Sequence, residues 1–295
     1  MKKSKNPISE KLAIGTANFN TRYGINNKKK FLSKKSIKNI FKILQKEKIF
    51  YLDTAKSYKN TEKSIGNLKN KKIKIVTKIK KINTKNNIYE FIKKEVSQSI
   101  SDLKIKKLYG LLIHNPRELR NDKGYEIYKS LKKLKKEGMV KKIGYSINSP
   151  KDLNFVYKKY KPDLIQTPIN VFDQRIVESG WLKKMKKDNV EIHARSIFLQ
   201  GLLLKKNIKL IKKFNKFSTS FNKWNIWLKK NNLSKLNGCL NYIFSIKEVN
   251  KIIVGVDSVN HLKDILKFKK KNYLNFSFLK SNDTNLITPS KWQKL

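Results

Sequence analysis

Ile49-Phe50-Tyr51-Leu52-Asp53-Thr54-Ala55-Lys56-Ser57-Tyr58 is a short apolar run that closes on a carboxylate, followed by a small polar turn ending in a phenol. Branched and aromatic side chains over Ile49–Asp53 predict a strand. Before it, Ser33–Glu47 carries Ile37, Ile40, Phe41 and Leu44 at three- and four-residue steps, with lysines on the other face and Ser33 in place as N-cap. That pattern predicts a helix burying one stripe. After it, Ile73–Lys78 is a second apolar run of strand length. Short apolar runs alternating with longer lysine-rich segments of helical period are the mark of repeated βα units around a parallel sheet.

The alternation continues outward to both ends. Strands are predicted near Lys11–Gly15, Ile49–Asp53, Ile73–Lys78, Leu108–His114, Lys142–Ser146, Leu164–Gln166, Glu191–Ser196 and Lys251–Gly255. Helices are predicted over Asn86–Leu103, Gly124–Glu137, Pro150–Tyr160, Trp181–Lys187 and His261–Phe268, the third opening on a proline pre-set for a first turn. Eight such units predict an α/β protein built as a single (β/α)8 TIM barrel, which a chain of 295 residues can accommodate in one domain. The expected organisation is an N-terminal extension over 1–10, the barrel over 11–272, and a tail over 273–295 that folds over one barrel mouth or frays. The long stretch Ile197–Asn250 is expected to hold helices at Ser218–Lys230 and Leu233–Ser245, broken at Asn231–Asn232.

The formal charge is +49, from 70 Lys and Arg against 21 Asp and Glu. A field of that sign draws polyanions, so charge-driven nucleic-acid binding is one class to weigh. Against it, only Arg22, Arg117, Arg120, Arg175 and Arg195 carry the guanidinium fork that reads base edges. The lysines are spread along the chain beside many Asn, Ile, Phe and Tyr, all residues of A- and T-rich codons, so mutational bias accounts for the charge and no specific nucleic-acid partner is expected. The runs Lys28–Lys30 and Lys269–Lys271 read as solvated loop and helix-end charges. No apolar run approaches the roughly 18 residues of a membrane span. The charged start lacks a secretory core, and the lone Cys239 forms no internal disulfide, so a cytoplasmic protein is expected. His114, His193 and His261 stand in separate elements without metal-ligand spacing, and no metal is expected. Trp181, Trp224, Trp227 and Trp292 read as core or wall residues, with Trp224 or the tail as the alternative lining of a substrate mouth.

In a parallel barrel, reactive groups belong at the carboxyl ends of strands. Asp53 ends the second strand, Tyr58 follows in its loop, Lys78 ends the third and His114 the fourth. Adjacent strands thus bring a carboxylate, a phenol, an ammonium and an imidazole to one mouth. Carbonyl reduction needs a proton donor at oxygen as hydride reaches carbon, and a phenol with a pKa of about 10 needs tuning to serve. Lys78 would stabilise the phenolate, Asp53 would hold the ammonium, and His114 would hydrogen-bond the substrate oxygen.

These residues resemble a known family. Asp53-Thr54-Ala55, Tyr58, Glu62 and Ile65-Gly66 are similar to the aldo-keto reductase signature, supported in order by Val76-Thr77-Lys78, by Leu111 to Pro116 around His114, and by Lys141 to Ser146. The resemblance spans roughly Leu12 to Phe268. It implies a catalytic tetrad of Asp53, Tyr58, Lys78 and His114, and an extended NADPH or NADH bound without a Gly-rich fingerprint, which this chain lacks. On the same ground Gly15-Thr16-Ala17 falls on the loop under the nicotinamide, Ser146 and Gln166 on the carboxamide, Arg195-Ser196 and Gln200-Gly201 on the pyrophosphate side, and Gly255, Asp257, Ser258 and His261 on the adenosine phosphate.

Two departures stand out. The family often reads G-x-S-N after the fifth strand, where this chain has Ser146-Ile147-Asn148, leaving Asn148 as the candidate amide. Relatives that select the 2′-phosphate carry Lys or Arg where Gly255, Asp257 or His261 now stand, so the choice between NADH and NADPH stays open, with family habit leaning to NADPH. The expected function is NAD(P)-dependent interconversion of an aldehyde, ketone or sugar-like carbonyl with its alcohol. The alternatives are a cofactor-binding interaction module of the same fold without turnover, and charge-driven nucleic-acid binding.

Overall fold

In the computed structural model, which describes residues 7–21, 24, 31–68, 72–84, 87–207 and 211–294, Ser33 caps a helix as its sequence predicts. Its hydroxyl accepts from Ser36 N at 3.1 Å, and Ile37, Ile40, Phe41 and Leu44 are buried below it. The run Lys28–Lys30, Arg22, Asn86 and residues 1–6 of the expected extension lie outside the described residues.

The strands are β1 (Leu12–Gly15), β2 (Tyr51–Asp53), β3 (Lys74–Ile79), β4 (Leu108–Ile113), β5 (Val140–Ser146), β6 (Leu164–Pro168), β7 (Glu191–Arg195) and β8 (Lys251–Gly255). They pair in chain order, all parallel, and β8 returns to β1 through Leu12↔Ile252 to Gly15↔Gly255, closing the barrel. Covered on both faces, such strands are largely buried: β1 and β6 bury every residue, the polar Gln166 and Thr167 included. The predicted ends move by a residue or two for local reasons. Ile49 is expected in the strand, but its N–H goes to Leu44 O at 2.8 Å and closes the preceding helix, so β2 starts at Tyr51.

The helices are α1 (Pro7–Lys11), α2 (Ala17–Asn20), α3 (Lys34–Lys46), α4 (Thr61–Gly66), α5 (Ile88–Leu103), α6 (Gly124–Lys136), α7 (Lys151–Lys159), α8 (Arg175–Glu178), α9 (Trp181–Lys187), α10 (Ser218–Lys230), α11 (Lys235–Ser245), α12 (Val259–Leu266) and α13 (Thr284–Ile287). Caps set their starts. Ser234 opens α11 by accepting from Asn237 N, and Ser258 opens α12 by accepting from His261 N at 3.0 Å, two residues earlier than periodicity alone predicts. α10 and α11 break at Asn231–Asn232 as expected, Asn232 taking a left-handed φ of 48°.

The described residues after Asn272 are anchored at Phe276 and Trp292. Phe276 packs on Trp227 at 4.8 Å and Tyr242 at 5.1 Å, and Trp292 meets Phe214 edge-on at 4.9 Å. Trp224 is fully buried against Trp227, in the wall rather than at a substrate mouth. Among the described residues no helix is long and apolar enough to cross a membrane.

Candidate active site

Because the strands are parallel, their carboxyl ends open on one mouth, and a cavity of about 370 Å³ sits there. Residues from all eight strand ends or the loops after them line it, from Ala17 and Asp53 round to Arg195 and Gly255. Asp53, Tyr58, Lys78 and His114 all face it.

Asp53 is fixed from its backbone up: its carbonyl accepts from Thr16 N at 2.9 Å and from Thr16 Oγ1 at 3.0 Å. Its carboxylate accepts from Lys78 Nζ at 2.7 and 2.8 Å and from Gln166 Nε2 at 2.7 Å. Lys78 donates once more to Thr54 O at 2.9 Å and is buried. Burial pulls its pKa down, the Asp53 charge and hydrogen bonds resist, and the Arg195 charge adds to the fall. The ammonium stands 5.8 Å from the centre of the Tyr58 ring. Tyr58 itself is held by its carbonyl, which accepts from Thr61 N at 3.1 Å and Thr61 Oγ1 at 2.6 Å where α4 begins.

His114 is exposed along the open mouth. Partial desolvation, then the positive charges of Lys78 and Arg195, outweigh Asp53 and hold its imidazole at about 4. At neutral pH the ring is therefore uncharged, with one donor and one acceptor nitrogen.

The signature glutamate has a structural place. Glu62 is buried, accepts from Thr77 Oγ1 at 2.7 Å and from Ser99 Oγ at 3.0 Å, and so ties α4 to β3 and α5. Four residues on, a Cβ at Gly66 would come within 2.1 Å of Asp102 O, so only glycine permits this approach of α4 to the end of α5.

Of the remaining predicted residues, Ala17, Ser146, Asn148, Gln166, Arg195, Ser196, Gln200, Gly201, Gly255, Asp257 and His261 line the same cavity. Gly15, Thr16 and Ser258 do not: Gly15 lies in the sheet opposite Asp53 and Gly255, Thr16 is the buried brace of Asp53, and Ser258 is the cap of α12. Ser146 Oγ reaches Gln166 Oε1 only at 3.4 Å. Arg195 Nη2 donates to Ile147 O at 2.9 Å and Asn148 Oδ1 at 2.7 Å, which fixes the amide in the Ser146-Ile147-Asn148 variant. The sequence reading missed Thr21, Leu32 and Phe198 as lining residues, and it missed the bond from Asn18 Nδ2 to Asp257 Oδ1 at 2.5 Å. No motif announces these, since they depend on loops from β1, β7 and β8 meeting in space.

A closed parallel barrel with its polar side chains gathered at the carboxyl mouth is the (β/α)8 architecture. The model of the Aldo/keto reductase family matches residues 11–280, and the chain belongs to that family. It is an NAD(P)-dependent oxidoreductase of carbonyl compounds in the general sense of that family. Among solved structures it is similar to the aldo-keto reductase AKR11C1 from Bacillus halodurans in its holo form, at a TM-score of 0.74 and 18% identity, covering 90% of this chain and 88% of that one. It is also similar to the glycerol dehydrogenase AKR11B4 from Gluconobacter oxydans, at a TM-score of 0.65 and 22% identity over 88% of each chain. No curated protein sequence matches it.

Proposed function

We propose that the enzyme reduces an aldehyde, ketone or sugar-like carbonyl, or oxidises the matching alcohol, with Tyr58 as general acid and base. The observation that carries this reading is the meeting of Asp53, Tyr58, Lys78 and His114 in one cavity wall, with Lys78 locked onto Asp53 at 2.7 Å.

The lining suits a dinucleotide. Ser146 Oγ and Gln166 Oε1 engage each other only at 3.4 Å and are left to bind a carboxamide. Ser196, then Leu199, Gln200 and Gly201, take left-handed φ values in the loop after β7, and a Cβ at Gly201 would point into open space, so an extended ligand can approach the backbone there. A bound nicotinamide supplies the hydride. Tyr58 gives its proton to the carbonyl oxygen, and the adjacent Lys78 ammonium stabilises the phenolate left behind. His114, neutral, donates to the same oxygen and orients it. Asp53 keeps Lys78 from drifting into the substrate space.

NADPH, favoured by family habit, and NADH both fall within this reading. The described cations on the cavity wall are Lys78 and Arg195, and the acidic Asp257 stands where 2′-phosphate selection calls for a base, which weighs toward NADH. The reading places the enzyme in the cytoplasm, where the buried free thiol of Cys239 stays reduced. The test is Tyr58→Phe: turnover falls by 100-fold or more (an order-of-magnitude expectation for losing a general acid) while cofactor binding, followed by fluorescence, is kept. Full activity in that variant would remove the phenol from the mechanism.

A further inference from the structure

Two described cations line the cavity, and they are not in the same electrostatic state. Lys78 is neutralised by Asp53 at 2.7 Å. Arg175, just behind the wall, is neutralised by Asp173 through Nε and Nη2, both at 2.8 Å. Among the described residues Arg195 has only neutral partners: Ile147 O, the Asn148 amide oxygen, and Ser196 Oγ at 3.3 Å, with Nε buried and unbonded.

Its position is set by the barrel. Arg195 ends β7, and its guanidinium reaches past the end of β6 to the residues that follow β5. Two acceptors on Nη2 fix the plane of the group. It therefore spans the β5–β7 sector of the mouth, beside the sector that carries Asp53, Lys78 and His114, and its charge acts on both Lys78 and His114. A hydride donor has to lie about 3–3.5 Å from the carbon whose oxygen meets Tyr58 and His114. With the β2–β4 side taken by the proton-transfer groups and the assigned carboxamide partners Ser146 and Gln166 on β5 and β6, the ring falls within reach of the sector Arg195 spans.

We propose that Arg195 is a redox-state discriminator: an uncompensated cation set against the nicotinamide, which favours loading of the reduced, neutral ring and discharge of the oxidised, cationic one. The inference rests on the oxidoreductase reading above. In the reduction, the carbonyl carbon gains a C–H bond with the hydride pair, the C=O π pair moves to oxygen and takes the Tyr58 proton, and the ring that gave the hydride is left with one positive charge. Arg195 repels that charge and is indifferent to the neutral form. By the same factor the equilibrium on the enzyme is held back, so the gain lies in loading and release. An arginine serving only the pyrophosphate would strengthen both forms alike, since both carry it.

The experiment is a fluorescence or calorimetric titration of the full chain with NADH, NAD⁺, NADPH and NADP⁺, for wild type, Arg195→Gln and Arg195→Lys. The reduced form of the preferred cofactor is expected to bind about tenfold more tightly than its oxidised partner, a factor that one unit charge a few ångströms away can supply near a protein surface. R195Q is expected to bring the two constants within about twofold to threefold, chiefly by tightening the oxidised form, and R195K to keep most of the difference. Equal weakening of both forms in R195Q, with their ratio unchanged, overturns the inference and leaves the oxidoreductase reading intact. Wild type binding the oxidised form as tightly as the reduced one overturns it without any variant, so the test survives a variant that does not fold. Binding of neither form overturns the reading itself and this inference with it.

Discussion

Gln166 Nε2 donates to Asp53 Oδ1 at 2.7 Å, joining two side chains 113 residues apart across the end of the barrel. The carboxylate that holds Lys78 is thereby also tied to the wall assigned to the cofactor. Asp53 carries one charge and accepts three donor contacts, two of them from the ammonium.

Removing that ammonium strands a buried charge. Lys78→Met is expected to cost about 3–5 kcal/mol of stability, because the loss is dominated by the unpaired Asp53 carboxylate rather than by the pair's own worth. The double variant Asp53→Asn/Lys78→Met is expected to recover part of that stability while staying inactive. Urea unfolding of both, with activity alongside, checks this; a double variant no more stable than Lys78→Met would contradict the account.

The His114 imidazole, held at about 4 rather than its ordinary 6.5, sets a pH window. Between those values the unfolded chain binds the proton and the folded chain does not, so this histidine makes stability rise with pH up to about 6.5 and fall as pH drops toward 4. His114→Gln is expected to flatten that part of the stability curve. Wild-type turnover should show no acid limb near 6.5 from this group, and a limb there that disappears in H114Q would show that the ring titrates normally.

Much of this was legible in the amino-acid sequence for identifiable reasons. Strands covered on both faces leave short runs rich in apolar residues, clearest in β1, β4 and β8, so the βα alternation was visible, and strand ends of a parallel barrel share one mouth, so Asp53, Lys78 and His114 could be grouped before any distance was known. What was hidden depends on side chains meeting across the fold. Asn18 and Asp257 bond over 239 residues, and Arg195 reaches Asn148 over 47, with no period or spacing to mark either pair. The tail was hidden differently: it docks through isolated aromatics, Phe276 and Trp292, and single anchors carry no periodicity. Helix starts were misplaced where a cap such as Ser258 overrode the apolar pattern.

Gly66 connects packing to the phenol. Alanine in a helix is ordinarily better than glycine by about 1 kcal/mol, but here its Cβ would lie 2.1 Å from Asp102 O and 2.9 Å from the Leu103 carbonyl carbon, both backbone atoms. The clash wins, and α4 has to move. Gly66→Ala is expected to lose about 1–3 kcal/mol. Since Thr61 at the start of α4 anchors Tyr58, kcat should fall more than KM changes. Thermal unfolding and steady-state kinetics read both, and an unaltered kcat in a destabilised variant would separate α4 from Tyr58 positioning.

Asp257 provides the sharpest test of cofactor choice. Its carboxylate is exposed at the cavity rim, with Asn18 Nδ2 bonded to Oδ1 and its own N–H directed at His261 Nδ1 at 3.4 Å. A 2′-phosphate near this group brings like charges together, whereas a 2′-hydroxyl can donate to it. Asp257→Asn removes the charge and keeps the shape, so any effect isolates electrostatics. NADPH is expected to bind about tenfold more tightly to D257N than to wild type, on the order of 1.4 kcal/mol, with NADH unchanged or slightly weaker. The difference should shrink as salt is raised, because an exposed charge is screened within about 10 Å at 0.1 M. If the NADPH-to-NADH ratio does not move in D257N at low salt, the carboxylate lies outside the adenosine end of the site and cofactor choice is set elsewhere on the rim.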